Sequence, residues 1–258
     1  MTFRYKQTQI HYSSSGAGEP LILLHGFLEN KSMWELWIQK LSSTYSVFAI
    51  DLPGHGDTEP WGYIHKMEDY ASMLLAFAKF QKLESFRLIG HSMGGYVALA
   101  LAEMAPHRIK KLIMLNSSSL SDSEAKKIDR NRAISMVQKY PNAFVSMAVK
   151  HLFLPTLQEE LSSEIETVIL EAKRCPQQGI INTLKGMRDR KDRSAFLEPI
   201  ASKCFLVLGQ EDKIIPFEKT KQTAEEACVR VKVLSGGHML HLEQPETVLK
   251  ASMMFLKN

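Results

Sequence analysis

Short aliphatic runs recur along this chain, and most are followed by a stretch whose apolar residues fall at helical spacing. Leu21–Leu24, Tyr45–Ile50, Phe86–Ile89, Ile109–Leu115 and Cys204–Leu208 are continuous or nearly continuous apolar segments of four to seven residues, and Val229–Leu234 follows as a further strand candidate. Leu21–Leu24 and Tyr45–Ile50 predict strands buried in a parallel sheet, and the other segments predict further strands of it. Between them, Ser32–Leu41 carries Met33, Trp34, Trp37, Ile38 and Leu41 on one helical face. Helices are predicted in the same way over Met67–Phe80, Met93–Met104, Phe217–Ala227 and Pro245–Leu256. Phe3–Tyr12 alternates apolar and polar residues instead, which predicts an opening hairpin or edge strands.

Alternating strands and helices imply a mainly parallel sheet with helices on both faces, an α/β architecture. The rhythm breaks once. Residues 119–199 read as helical and charged, with no buried strand. The expected organisation is therefore one core, residues 1–118 and 200–258, with a helical cap inserted between its halves. In the cap, Met136, Val137, Tyr140, Phe144, Met147 and Leu152 fall on spacings compatible with apolar helix faces. The densest basic stretch, Met187–Arg193, also holds two aspartates and reads as a solvated, mixed-sign linker.

Composition narrows the function classes. The 258 residues carry 32 basic and 28 acidic side chains, a net charge of +4, which leaves no nucleic-acid footprint. No uninterrupted apolar segment is long enough to span a bilayer, and the polar N-terminus has no leader pattern. Cys175, Cys204 and Cys228 are odd in number and lack the spacing of a disulfide framework or a zinc site. We read them as free thiols, and the expected location is the cytoplasm. No metal or organic cofactor is called for, and no membrane partner.

The strongest chemical signal is Gly90-His91-Ser92-Met93-Gly94, placed after a predicted strand and at the start of a predicted helix. A serine on such a tight turn projects its hydroxyl clear of the sheet edge, and the next amide, on Met93, can donate to a developing oxyanion. The same string in an ordinary turn would mean nothing; its setting between strand and helix gives it weight.

The segments LILLHGFLEN, AIDLPGHGDT, LIGHSMGGYVALALA, LVLGQEDKIIP and GGHMLHLEQPE together resemble, in order, the landmark blocks of the α/β-hydrolase superfamily. The resemblance spans nearly the whole chain apart from the cap. It implies a catalytic triad of Ser92, Asp212 and His238. His238 follows Gly236-Gly237 after the last strand, whereas His241 fits the position less well and is expected to support the last helix. Asp212 lies beyond the strand Cys204–Leu208; the alternative position one strand earlier reads Leu115-Asn116-Ser117 and has no carboxylate. Asp51 and Asp57 are implied to be structural. The second oxyanion donor is implied to be the backbone amide of Phe27, on a loop that Glu29 and Asn30 mark as exposed.

The expected activity is hydrolysis of a small carboxylic ester through an acyl-enzyme. Carbon–carbon bond hydrolysis, thioester or amide cleavage with the same triad is the alternative, and a ligand-sensing protein of the same fold is a third reading. Ser92 stands where dehalogenases and epoxide hydrolases of this superfamily carry aspartate, which argues against both. Tyr96 stands where the menaquinone-pathway lyases carry arginine.

Overall fold

In the computed structural model, which describes residues 1–257, the alternating N-terminus forms a hairpin of β1 (Thr2–Tyr5) and β2 (Thr8–Ser15). The aliphatic runs become β3 (Glu19–Leu24), β4 (Tyr45–Ile50), β5 (Phe86–His91), β6 (Ile109–Leu115), β7 (Cys204–Gly209) and β8 (Arg230–Leu234). They form one sheet in the order β1-β2-β4-β3-β5-β6-β7-β8. The two N-terminal strands join antiparallel and every later pairing is parallel.

The helices are α1 (Glu35–Leu41), α2 (Met67–Phe80), α3 (Met93–Met104), α4 (Glu124–Lys139), α5 (Pro141–Leu152), α6 (Ser162–Ala172), α7 (Gln177–Arg188), α8 (Leu197–Ile200), α9 (Phe217–Glu226), α10 (Leu240–Glu243) and α11 (Pro245–Lys257). Strand periodicity decides which face each packs on. Leu21 and Leu23 of β3 turn toward Trp34 and Trp37 near α1 and Val248 and Phe255 of α11. Ile22 and Leu24 turn the other way, into a core with Tyr70 and Phe77 of α2 and Val97 and Leu101 of α3. Both faces are therefore covered at β3, which is why Leu21–Leu24 is apolar throughout, whereas β8 at the sheet edge leaves Arg230 and Lys232 exposed.

The segment between β6 and β7 is helical, as its composition implied, but two details differ from the sequence reading. Met136, Tyr140 and Met147 are exposed, while Val137 and Phe144 are buried. Apolar periodicity located the helices there without fixing which apolar residue faces in.

The second difference is larger. Met187–Arg193 is not a solvated linker. Arg190 and Arg193 are buried. Arg190 donates to Asp122 Oδ1 at 2.5 Å and to the carbonyls of Leu120 and Met187, and its guanidinium lies 4.2 Å over the Tyr96 ring. Arg193 reaches Glu68 Oε1 on α2 at 2.6 Å and Glu103 Oε2 on α3 at 3.1 Å. The charges are interior fasteners between the inserted helices and the sheet's own helices, and planar multidentate guanidinium suits that role.

Candidate active site

The site forms at the carboxyl ends of β5, β7 and β8, where strand ends open into loops. Ser92 follows β5 with φ 49° and ψ −114°, outside the regions that non-glycine residues favour. Its backbone is tied from several sides. Ser92 N–H donates to Leu115 O at 2.9 Å, and its carbonyl accepts from Ser117 Oγ at 2.8 Å and Gly95 N–H at 3.0 Å. Strain of this kind costs about 1–3 kcal/mol and persists only when its surroundings hold it. Gly94 is required by close approach: a Cβ there would run into the carbonyl of Leu24 on β3.

Asp212 leaves β7 in a loop that closes on its own carboxylate. Oδ1 accepts from Ile214 N–H at 2.7 Å and Ile215 N–H at 3.3 Å, while Oδ2 accepts from Asn116 Nδ2 at 2.9 Å. His238 Nδ1 lies 2.7 Å from the same Oδ2. Burial alone would raise the pKa of this carboxyl, but the adjacent His238 and the donors from Asn116 and Ile214 hold it below the usual aspartate value. It stays ionised.

His238 Nε2 lies 2.9 Å from Ser92 Oγ. With Nδ1–H donated to Asp212, the Nε2 lone pair faces the hydroxyl, the arrangement needed to accept its proton. The structure thus brings all three residues singled out from the sequence, Ser92, Asp212 and His238, into one hydrogen-bonded chain. The loop carrying His238 is itself anchored. Gly236 adopts φ 138°, Gly237 N–H donates to Glu243, Gly237 O accepts from Asn116 Nδ2 at 2.9 Å, and His238 O faces His91 Nε2 at 3.0 Å. His241 lies on α10 rather than near Ser92 Oγ, and its Nε2 faces Glu29 Oε1 at 3.5 Å.

Phe27 and Met93 flank the serine, and Phe27 lines the same small cavity as Ser92 and His238. Met93 opens α3, where its amide has no residue of its own helix to bond. The loop carrying Phe27 departs from expectation at Glu29, which is buried. Glu29 Oε2 accepts from Gly26 N–H at 2.6 Å and pairs with His91 Nδ1 at 2.7 Å. Burial opposes ionisation of Glu29, yet His91 beside it pulls its pKa down to about 2. Burial likewise opposes the charge on His91, and Glu29 outweighs it and raises that pKa. Glu29 and His91 therefore form a buried ion pair that joins the Gly26–Phe27 turn to the His238 loop.

Glu29, His91 and His241 place their donor atoms within 4.8 Å of one another. Two of those donors sit only 2.7 Å apart. Ligands held at roughly 2.0–2.1 Å around a tetrahedral zinc lie further apart than that, so the arrangement is that of an ion pair.

Asn116, Glu29 and Glu243 carry site geometry that sequence reasoning did not assign. Asn116 had a usable signal: it ends the strand between those of Ser92 and Asp212. Asp51 and Asp57 are remote from Ser92 Oγ in bonding terms; Asp51 accepts from Lys31 N–H at 2.7 Å, Lys31 Nζ at 2.6 Å and Asp57 N–H at 3.1 Å, which binds two loops together.

The cavity over Ser92 measures about 50 Å³ and is roofed by Ala148 and Leu152 of α5 and Met187 of α7. Small-molecule pockets are commonly about 300–1,000 Å³. The cavity is smaller than that range.

Comparison with known proteins agrees with this architecture. The sequence model of the alpha/beta hydrolase fold matches residues 19–245. The dihydrolipoyllysine-residue acetyltransferase component of the acetoin cleaving system of Pseudomonas putida is 27% identical over 255 residues, covering 93% of this chain and 64% of that protein. The chain thus spans less than two thirds of that relative's length. The (E)-2-((N-methylformamido)methylene)succinate hydrolase of Acinetobacter baylyi is 25% identical over 258 residues, covering 96% of this chain and 94% of that one. A malate-bound structure of a thermophilic esterase from Thermogutta terrifontis aligns with a TM-score of 0.91 and 26% identity, covering 99% and 96% of the two chains.

Proposed function

The chain belongs to the alpha/beta hydrolase fold family, and from that membership we propose that it is a serine hydrolase cleaving a small carboxylic ester through an acyl-enzyme. The observation that carries this reading is the unbroken chain from Ser92 Oγ through His238 to Asp212, at 2.9 and 2.7 Å.

In the reaction, His238 Nε2 takes the hydroxyl proton as Ser92 Oγ attacks the ester carbonyl. The amides of Phe27 and Met93 receive the negative charge that develops on the carbonyl oxygen, where a preorganised donor is worth about 3–4 kcal/mol. His238 then protonates the departing alcohol. Water enters, loses a proton to the same nitrogen as it attacks the acyl carbonyl, and His238 returns that proton to Ser92 Oγ as the acid departs. Asp212 holds the imidazole in the required tautomer and balances its charge while it is protonated. Residues 119–199 act as a cap over the core formed by 1–118 and 200–258, and displacement of α5 admits the substrate. Among the described residues no helix is long and apolar enough to cross a membrane, and the three free cysteines fit a reducing, cytoplasmic setting.

The test is hydrolysis of p-nitrophenyl esters of increasing acyl length by the protein and its Ser92→Ala variant, alongside labelling of Ser92 by a fluorophosphonate. Turnover and labelling that both vanish in the variant support the reading. Labelling without turnover of any ester sinks ester hydrolysis and favours carbon–carbon, thioester or amide cleavage by the same triad. Absence of labelling in folded protein removes the nucleophile role and leaves a ligand-sensing protein of this fold.

A further inference from the structure

Beyond the small catalytic cavity lies a second one of about 340 Å³, and Tyr96, Arg130 and Ile214 line both. The larger cavity is rich in cations: Lys126, Arg130, Arg190, Lys213 and Lys219 line it, against only Asp122 and Asp192. Both carboxylates are already committed. Asp122 is shared by Arg130 Nε at 3.0 Å and Arg190 at 2.5 Å. Asp192 accepts from the backbone amides of Ser121 at 3.1 Å and Ser194 at 2.9 Å.

Lys126 is left over. It is half-buried, and among the described residues its ammonium makes one hydrogen bond, to the carbonyl of Ile214 at 3.3 Å. That carbonyl belongs to the wall shared with the catalytic cavity. Burial, with Arg130 nearby, holds Lys126 below the ordinary lysine value. A group in this state gains from an incoming anion twice: a charge partner arrives, and a poorly solvated cation is satisfied. A rim of lysines in free solvent would gain much less.

We propose that the substrate is an ester bearing a second, anionic group, a carboxylate or phosphate, which lies in this basic cavity while the ester carbonyl sits at Ser92. The inference rests on the hydrolase reading above and adds a substrate class to it. The anion reaches the cavity past Tyr96 and Ile214, so the spacer between it and the scissile ester is a short apolar chain. Lys126 and Arg130 hold the anion, and Arg190, fixed on Tyr96 and Asp122, holds the wall.

Monomethyl esters of short dicarboxylic acids should be cleaved with kcat/KM about ten-fold or more above methyl esters of monocarboxylic acids of equal length, since a charge-assisted hydrogen bond of this kind is worth a factor of that order. A parallel series of acetyl esters of ω-hydroxy acids places the anion on the alcohol side instead. A preference in either series supports the proposal and locates the side. Lys126→Gln and Arg130→Gln should each lower the ratio of anionic to neutral turnover by about the same factor.

A binding assay separates this from the chemistry. In Ser92→Ala protein, glutarate at constant ionic strength should raise Tm, and the rise should disappear when Lys126→Gln is added. Neutral and anionic esters cleaved equally well, with an unchanged ratio in both variants, overturn the anionic subsite and leave the hydrolase reading standing. If no ester is cleaved, the ester-hydrolysis reading falls and the glutarate result alone decides the subsite: equal Tm shifts with and without Lys126 overturn it.

Discussion

Replacing Glu29 by glutamine keeps the shape of the side chain and removes the charge from the buried Glu29–His91 pair. The magnitude follows from the carboxyl's pKa, about 2 in the folded protein against an ordinary 4.5. That difference corresponds to about 3 kcal/mol of stability at pH 6 that glutamine does not supply. A glutamine can still accept from Gly26 N–H, so the loss is the charge term. The sign is set by the direction of each shift. Glu29 is lowered, so its contribution is complete above about 4.5 and is lost as pH falls through about 2. His91 is raised, so its contribution is complete below its ordinary value and is lost as pH climbs through the raised one. The pair is therefore most stabilising between roughly pH 4.5 and 6.5. For a domain of this size, about 3 kcal/mol lowers Tm by about 6–12 °C. Thermal and urea unfolding of wild type and Glu29→Gln at several pH values read this directly. The stability gap should narrow from about 3 kcal/mol at pH 6 to about 2 kcal/mol near pH 3.5. A Tm change under about 3 °C at pH 6 would refute the ion pair, as would a gap that does not shrink on acidification.

Asp212→Asn should retain the fold and cut kcat by about 10⁴-fold, because an amide there favours the wrong tautomer of His238; kinetics on any ester the wild type cleaves, beside an unchanged Tm, checks it. Gly94→Ala drives a Cβ into the Leu24 carbonyl of a central strand, and we expect a loss of roughly 3 kcal/mol or more, read as a fall in urea midpoint. Arg193→Met breaks contacts to Glu68 and Glu103. Both carboxylates can reach water, so the loss should be about 1–3 kcal/mol, and proteolysis within residues 119–199 should quicken as the inserted helices loosen.

What the sequence made legible and what it left hidden differ in range along the chain. The inner parallel strands were readable because burial on both faces writes an apolar run into consecutive residues, as in Leu21–Leu24. Ser92 was readable for the same local reason, since a strand, a glycine-flanked turn and a small-residue helix occupy one short window. Asp212 and His238 were singled out by the resemblance to the α/β-hydrolase blocks, through their order and their places after strand ends. The hidden features are pairings between distant positions. Glu29 meets His91 across 62 residues, Asp122 meets Arg190 across 68, and Asn116 meets Asp212 across 96. Nothing local distinguishes a glutamate that will find a buried histidine from one that will stay in water, so Glu29 read as a sign of exposure. The same reasoning explains Met187–Arg193. Two arginines among aspartates have the composition of a solvated loop, and only the packing of α7 and its following turn against Tyr96, α2 and α3 takes them inside. Long-range polar contacts of this kind also place the loops of the candidate site: Asn116 touches both the Asp212 and the His238 loop, and His91 links the His238 loop to Glu29. The residues that would do chemistry are thus named by local pattern and family resemblance, while the geometry that brings them together is set by partners neither reveals.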